Sequence, residues 1–153
     1  MQTILQGNRT KNWFQKILIG EKRMSLNDPL ANAFSKIESY ENLGRKTVEL
    51  IPSSKLLKNI LTILNELGYV GSFEEVDDSR GGKITLNLIG KVNKCGVIKP
   101  RFHCKFDDFE KYEKRYLPAK GFGVIFISTS QGLMIHSSSK EKKIGGKLIA
   151  YCY

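Results

Sequence analysis

Five residues of this chain could act as soft metal ligands or as a nucleophile and its base. They are three cysteines and two histidines, namely Cys95, His103, Cys104, His136 and Cys152. A structural zinc site needs two close pairs of ligands, whereas adjacent residues such as His103 and Cys104 point to opposite faces of a strand. A cysteine nucleophile is possible only if the fold brings Cys95 or Cys104 to His136. We therefore predict no metal site, no cofactor and no catalytic residue, and we keep a Cys/His-dependent enzyme as an alternative.

Two glycine-rich segments and one acidic cluster have simpler explanations than catalysis. Segments 81–83 and 121–123 each contain two glycines, but neither has the spacing or the following helix of a phosphate-binding loop. The carboxylates within residues 74–78 would need opposed environments to act as a catalytic pair. We predict turns at the glycines, and at the acidic cluster a solvated strand edge or a surface that faces a basic protein.

A short polar segment, residues 128–132, follows directly after the apolar run at residues 124–127 and reads Ser-Thr-Ser-Gln-Gly. Hydroxyl and amide side chains donate and accept hydrogen bonds at short range without bulk. Such groups can read the 2′-hydroxyls and base edges in the shallow minor groove of RNA, whereas lysines alone bind phosphate without fixing position. The segment predicts an RNA-reading turn, with an ordinary hairpin turn as the alternative.

The overall charge agrees with a nucleic-acid partner. The chain has 153 residues, with 25 Lys and Arg against 15 Asp and Glu and a net charge of +10. An excess of this size favours a polyanion, and the hydrophobic fraction of 41% indicates a folded core rather than disorder. The apolar runs are too short for a membrane span or a signal-peptide core. Three cysteines without a close pair indicate a reducing compartment, and we expect a cytoplasmic protein.

Local signals divide the chain into three parts. Residues 1–23 are a basic N-terminal extension with five basic residues and one acid. Residues 24–90 are predicted to form an α-β-α-β-β domain, and residues 91–153 a mainly β domain that binds RNA. The predicted elements of the first domain are helices at 28–41 and 54–67 and strands at 47–51, 69–76 and 83–89.

A basic, glycine- and proline-containing segment, residues 90–101, is predicted to be a loop-rich connection that marks the domain boundary. Strands are predicted at 101–106, 123–128, 133–136 and 147–153, and residues 107–116 are predicted to form a short helix or loop. The predicted fold class is therefore α+β, in two small subdomains.

Eight short blocks occur in the order found in one protein family. They are Asp-Pro-Leu-Ala-Asn-Ala at 28–33, Pro-Ser-Ser-Lys-Leu at 52–56, Gly-Tyr-Val-Gly at 68–71, Asn-Lys-Cys-Gly at 93–96, Lys-Pro-Arg at 99–101, Tyr-Leu-Pro at 116–118, Ser-Thr-Ser-Gln-Gly at 128–132 and Gly-Gly-Lys-Leu-Ile-Ala-Tyr at 145–151. With these blocks the chain resembles the small-subunit ribosomal protein eight family, and most closely its archaeal branch, over residues 24–153. The resemblance implies the α+β architecture predicted above and a structural, non-enzymatic protein of the cytoplasmic small ribosomal subunit. Neighbouring small-subunit proteins are its implied protein partners, and a homo-oligomer is not expected.

The resemblance also implies a mode of RNA binding. It implies primary binding to a helix of the central domain of small-subunit ribosomal RNA, with residues 128–130 in the minor groove. The turn at 53–55 would contact phosphates from a helix N-terminus, and Gly145 and Gly146 would let backbone approach backbone. The full set expected to bind RNA is Asn32, Ser53, Ser54, Lys55, Lys94, Lys99, Arg101, Ser128, Thr129, Ser130, Gln131, Gly132, Gly145, Gly146 and Lys147. Translational autoregulation through the protein's own messenger RNA, a role of bacterial members, is an alternative function.

The chain departs from the family pattern in two places. After His136 the family's archaeal branch has an acidic, alanine-bearing helix, whereas this chain has Ser-Ser-Ser-Lys at 137–140 and Lys143 near a usual glycine. These changes predict a frayed or shifted helix. The other departure is residues 1–23, which precede the family's usual start.

Overall fold

The computed structural model describes residues 28–76 and 81–153, which form four α-helices, one 3-10 helix and eight strands. The helices are α1 (Pro29–Asn42), α2 (Lys55–Glu66), α3 (Phe109–Tyr116) and α4 (His136–Glu141), and the 3-10 helix is Phe106–Asp108. The strands are β1 (Thr47–Leu50), β2 (Val70–Val76), β3 (Lys83–Leu88), β4 (Cys95–Val97), β5 (His103–Cys104), β6 (Val124–Thr129), β7 (Gly132–Ile135) and β8 (Gly146–Cys152). The predicted α+β fold is confirmed. The predicted extension, residues 1–23, lies outside the described residues, as does part of the acidic cluster.

The first helix forms where its end signals and apolar spacing predict it. The Asp28 carboxylate accepts hydrogen bonds from the amides of Leu30, at 3.1 Å, and Ala31, at 3.3 Å, so two free donors of the first turn are satisfied. Pro29 occupies the first helical position, where a missing N–H costs nothing. The apolar residues at helical spacing, such as Phe34 and Ile37, are buried.

Three of the helices end in the same left-handed turn. Gly44 (φ 65°), Gly68 (φ 72°) and Lys143 (φ 53°) follow the C-caps of α1, α2 and α4. In α4 the turn closes with a hydrogen bond from the Ile144 amide to the Ser139 carbonyl at 3.0 Å, the Schellman pattern. Of the two alternatives predicted for the helix after His136, fraying is wrong, because α4 has a complete end motif with a lysine in the position that glycine prefers. A shift relative to the family stays a prediction.

The N-terminal part contains a three-stranded antiparallel sheet in the order β1-β3-β2. Helices α1 and α2 contribute their buried faces to its core, which includes Val48 of β1, Leu61 of α2 and Leu86 of β3. The turn before α2 is tied to the β2–β3 hairpin, because the Ser53 amide donates to the carbonyls of Gly81 and Gly82 at 3.0 and 3.1 Å. The predicted α-β-α-β-β order is confirmed for residues 28–90.

The C-terminal part is built on β8, which pairs with β4, β5 and β6, and β7 completes the sheet next to β6. Both faces of this sheet are buried at β6. Val124 and Phe126 belong to the core shared with the N-terminal part, whereas Ile125 and Ile127 pack in a second core with Phe109 of α3. The unbroken apolar run of β6 follows from this two-sided burial.

The loop-rich segment 90–101 contains one short strand, β4, which the sequence did not predict because Gly96 interrupts the β-forming pattern. One prediction for the second half needs correction. The predicted strand 101–106 is reduced to β5, because Phe106 already starts the 3-10 turn that leads into α3. Residues 109–116 form a helix, one of the two predicted possibilities. The domain boundary between residues 90 and 91 stays a prediction.

The described residues contain no helix that is long and apolar enough to cross a membrane. Within the same residues, no group of three or more His, Cys, Asp or Glu side chains is arranged to hold a metal ion.

Candidate nucleic-acid interface

The polar segment 128–132 forms the turn between β6 and β7, with Thr129 opposite Gly132. The Thr129 hydroxyl donates to the Gly132 carbonyl at 2.9 Å and accepts from the Gln131 amide at 3.2 Å. Gly132 has a φ of 115°, which a residue with a side chain rarely adopts. Thr129 and Gly132 therefore shape the turn, while the side chains of Ser130 and Gln131 are exposed at its tip.

A row of polar side chains leads from this turn across the sheet. Ser128 on β6 lies opposite Lys147 on β8, and Lys147 lies opposite His103 on β5. Directly opposed residues of antiparallel strands project from the same face, and all three are exposed. We call His103, Lys147 and Ser128 the polar row. It places an imidazole, an ammonium and a hydroxyl side by side on three strands.

His103 is a member of the polar row that sequence reasoning missed as an RNA-binding residue. The sequence identified it only as a metal or catalytic candidate beside Cys104. No local signal could have placed it beside Lys147, because the pairing joins residues far apart in the chain. Only the register of β5 with β8 brings the imidazole to this face.

Gly145 and Gly146 allow the three strands of the polar row to lie close together. An ideal Cβ on Gly146 would meet the Ser128 carbonyl oxygen and the Ile127 side chain, and one on Gly145 would meet the Cys104 carbonyl oxygen. Neither glycine has a positive φ. These two glycines therefore let neighbouring backbone segments of the protein lie close together, and this fixes the spacing of the polar row.

At the predicted phosphate contact, residues 53–55, the hydroxyls of both serines make hydrogen bonds within the protein. The Ser54 hydroxyl accepts from the Leu57 amide at 3.2 Å and so caps α2, and the Ser53 hydroxyl donates to the Gly81 carbonyl at 3.3 Å. Lys55, the first residue of α2, is exposed. Any anion bound here would meet Lys55, the first amides of α2 and the proton of the Ser54 hydroxyl, rather than the Ser53 hydroxyl.

Lys99 is engaged in an ion pair with the cap of α1. Its Nζ lies 2.7 Å from an Asp28 carboxylate oxygen. Burial acts to raise the pKa of Asp28, but the Lys99 ammonium and the amides of Ala31 and Leu30 hold it below its ordinary value. Asn32, one helical turn after Asp28, is exposed.

Lys94 lies far from the polar row. Its backbone exchanges two hydrogen bonds with Tyr153, at 2.8 and 2.9 Å. Tyr153 follows the C-terminal end of β8, whereas Lys147 lies near the N-terminal end of that strand. The rise of a β-strand puts this site roughly 20 Å from Lys147 along the strand. The structure thus brings Ser128, Lys147 and the turn together, but places Lys94 elsewhere. Arg101 is exposed two residues before His103.

His136 is engaged in a buried polar cluster between α3, α4 and β6. Its Nδ1 accepts from the Ile125 amide at 3.2 Å, and its Nε2 lies 3.4 Å from a carboxylate oxygen of Glu113, to which Lys140 also donates. Burial lowers the pKa of His136; the Glu113 carboxylate acts in the opposite direction, and Lys140 adds to the lowering. Both ring nitrogens face partners within the protein, so the cluster joins three elements.

The cysteines are not activated as nucleophiles. Cys95 and Cys152 lie opposite each other on β4 and β8, and all three cysteines are free and buried. Burial raises the pKa of each thiol, to about 11 for Cys104 and about 12 for Cys152. Because the thiolate is the nucleophilic form, the described residues offer no support for the Cys/His-dependent enzyme.

One comparison with known proteins bears on this interface. A family model described as "Ribosomal protein S8" matches residues 28–153. The match covers both sheets, the β6–β7 turn and the whole polar row.

Proposed function

The chain belongs to the ribosomal protein S8 family, and on that premise we propose that it binds and organises a helix of the central domain of small-subunit ribosomal RNA. The family assignment itself makes it a small-subunit ribosomal protein that binds ribosomal RNA, in a family of structural proteins rather than enzymes. The choice of RNA region, the residues that contact it and the cytoplasmic location are our proposal.

The observation that carries the proposal is the polar row with its adjoining turn. Ser128, Ser130 and Gln131 offer short donors and acceptors of the kind that can reach 2′-hydroxyls and base edges in a shallow minor groove. Lys147, opposite Ser128 on β8, offers a cation for a neighbouring phosphate. Reading and positioning groups thus lie side by side, which is what sequence-specific binding of a duplex requires.

A second group of contacts supports binding to a long RNA helix. Lys55 and the first amides of α2 present positive charge at a helix N-terminus. Arg101 and Lys99 follow β4, but the Lys99 charge is already shared with Asp28. We therefore expect Arg101 to contribute more to RNA affinity than Lys99.

The protein partners proposed for the chain are neighbouring proteins of the small subunit, which it contacts as a single copy. One surface suited to a basic neighbour is the edge strand β2, where Glu74 and Glu75 are exposed. Glu75 pairs with Lys58 of α2, which leaves Glu74 as the better candidate for an external cation.

An RNA titration tests the proposed function. We would measure binding of the full chain to a fragment of the central-domain helix and to a generic RNA duplex of equal length. The Ser128→Ala, Ser130→Ala double variant should lose at least tenfold affinity for the cognate helix and much less for the duplex, since a lost hydrogen bond to a buried polar group costs about 1–3 kcal/mol. Ser72→Ala, an exposed serine on β2, is the matched control and should bind both RNAs normally.

Two results would contradict the proposal. Equal loss on both RNAs would mean that the turn reads no sequence, and unchanged binding would mean that it makes no contact. The same titration with the transcript that encodes the chain separates ribosomal binding from translational autoregulation, because a regulatory site would compete with the ribosomal helix for the polar row.

A further inference from the structure

A stack of aromatic rings lies at the end of β8 far from the polar row. The ring centroids of Tyr116 and Tyr151 are 5.4 Å apart with an interplanar angle of 29°. Those of Tyr151 and Tyr153 are 6.3 Å apart at 21°. All three rings are half-buried, so each retains contact with solvent. The rings form a nearly parallel series from the end of α3 to the end of β8.

The series has room because of a glycine on the neighbouring strand. Gly96 of β4 lies opposite Tyr151, and a Cβ on Gly96 would lie 3.0–3.1 Å from three atoms of the Tyr151 side chain. The tyrosine therefore covers a strand position that has no side chain of its own. This placement explains why a short strand with a central glycine persists at the sheet edge, and it sets the position of the ring.

An exposed phenylalanine extends the aromatic area. Phe122 is 57% exposed, although its turn is well defined by a bridge to Ala119 and by positive φ at Gly121 and Gly123. Gly123 packs directly against Tyr153, since a Cβ there would lie 2.7 Å from the Tyr153 Cβ. The fold thus holds a large apolar ring in solvent, one residue before the glycine that packs against Tyr153. We call Tyr116, Tyr151, Tyr153 and Phe122 the aromatic surface.

Cations are placed against these rings. The guanidinium carbon of Arg115 lies 5.5 Å from the Tyr116 ring centroid. The Lys94 backbone is hydrogen-bonded to Tyr153. Burial raises the pKa of Tyr151, and the Lys94 ammonium acts in the opposite direction. Lys120, two residues before Phe122, is largely exposed, with an ion-pair distance of 3.5 Å to Glu110.

We propose that the aromatic surface, with Lys94 and Arg115, binds unpaired RNA nucleotides by stacking bases on its rings and holding their phosphates with its cations. Aromatic faces beside cations are the arrangement that binds single-stranded nucleic acid, because every base offers a π-face and every nucleotide a charge. The inference rests on the proposed function, since its ligand is RNA. It adds a second site for single strands to the duplex-reading site at the polar row.

The two sites lie on opposite faces of the sheet, because Ser128 follows the alternation of Val124 and Phe126 whereas Tyr151 lies opposite Ile125 and packs in the second core. The polar row and the aromatic surface lie at opposite ends of β8, roughly 20 Å apart by the rise of a strand. An RNA that occupies both sites would therefore have to pass around the end of the sheet, and a separate single strand could occupy the rings alone. Lys94, which the fold separates from the other candidate RNA-binding residues, would bind phosphate at the aromatic surface.

The test is a titration of the full chain with a fluorescently labelled, unstructured oligoadenylate of about ten nucleotides, within the range that single-strand sites cover. Phe122→Ser should weaken binding of this probe by about fivefold to a hundredfold, the range for loss of one stacking ring. Because Phe122 is exposed, the variant should fold normally, and thermal unfolding checks this. Tyr153→Leu, which keeps apolar bulk, should give a similar loss.

Two control variants complete the design. Leu43→Ser removes another exposed apolar side chain, at the end of α1 and away from the stack, and should leave oligoadenylate binding unchanged. The Ser128→Ala, Ser130→Ala variant should bind oligoadenylate normally while it loses the cognate helix. If the proposed duplex function fails but Phe122→Ser still weakens oligoadenylate binding, only the further inference survives.

Two outcomes would overturn the inference. They are oligoadenylate binding that Phe122→Ser leaves intact and an equal loss in Leu43→Ser. In the first case, loss of a neighbouring protein from small subunits assembled with Phe122→Ser would make the aromatic surface a protein contact instead of an RNA site.

Discussion

Lys147 lies directly opposite His103 on the paired strands β8 and β5, and both side chains are exposed on the face that also carries Ser128. A cation at either of the two opposed positions would therefore meet nearly the same part of a bound RNA. This relationship allows the electrostatic contribution of the polar row to be separated from the reading of the RNA by the turn.

The first prediction concerns the salt dependence of RNA binding. Lys147→Ala should reduce the slope of log affinity against log salt by about one, as expected for loss of one phosphate contact. Adding His103→Lys to this variant should restore the slope, because the new ammonium occupies the opposed position. Lys83→Ala is the control, since Lys83 lies on the other sheet and pairs with Glu49 at 2.6 Å. An unrestored slope would show that the RNA does not extend over β5.

The second prediction separates the two hydroxyls of the β6–β7 turn. Ser130→Ala should weaken cognate RNA binding by about 1–3 kcal/mol without changing the thermal unfolding temperature, because its side chain is exposed at the tip. Thr129→Val should instead lower protein stability by about 1 kcal/mol, since the Thr129 hydroxyl makes two hydrogen bonds within the turn. A Ser130→Ala variant that unfolds more easily but binds normally would reverse these assignments.

The features that the sequence predicted correctly are those set by near neighbours in the chain. Asp28 and Ser54 cap the helices that follow them, and Gly44 and Gly68 end those helices, because each signal acts within a few residues. The α-β-α-β-β order follows from such signals together with apolar periodicity. The turn at 128–132 was also readable, since it lies between two adjacent strands.

The features that the sequence did not predict depend on pairing between distant segments. Strand β4 contains Gly96 and is stabilised by β8 and the Tyr151 ring, neither of which is local. His103 joins the polar row only through the register of β5 with β8.

The third prediction concerns the left-handed residue after α4. Lys143→Gly should stabilise the protein by about 1 kcal/mol, because a residue with a Cβ is disfavoured in this conformation. The converse change, Gly68→Lys, should destabilise it by a similar amount. Among the described residues, and apart from the neighbours of Gly68 in the chain, no atom lies within 4 Å of an ideal Cβ at Gly68. The loss of stability would therefore come from the backbone conformation and not from a steric clash.

Denaturant unfolding at equilibrium measures both variants of the third prediction. The two shifts should have opposite signs and comparable sizes. A destabilised Lys143→Gly variant would mean that the lysine side chain makes a stabilising contact that outweighs its unfavourable φ.

The fourth prediction concerns the pH dependence of stability. Burial lowers the pKa of His136 in the folded protein despite the opposing Glu113 carboxylate, so the unfolded chain takes up the proton more readily. The free energy of unfolding should therefore be greatest above the ordinary pKa of histidine, and should fall as the pH decreases through that value towards the lowered pKa of the folded state.

His136→Gln keeps a neutral side chain that can hydrogen-bond, and should flatten the pH dependence of stability over this range. His103→Gln is the matched control, because it makes the same substitution at an exposed histidine. Denaturant unfolding of the three proteins at several pH values between about 7.5 and 5 covers the range in which a histidine changes charge. A wild-type protein that becomes more stable on acidification would mean that attraction to Glu113 outweighs burial, and that the histidine is charged when folded.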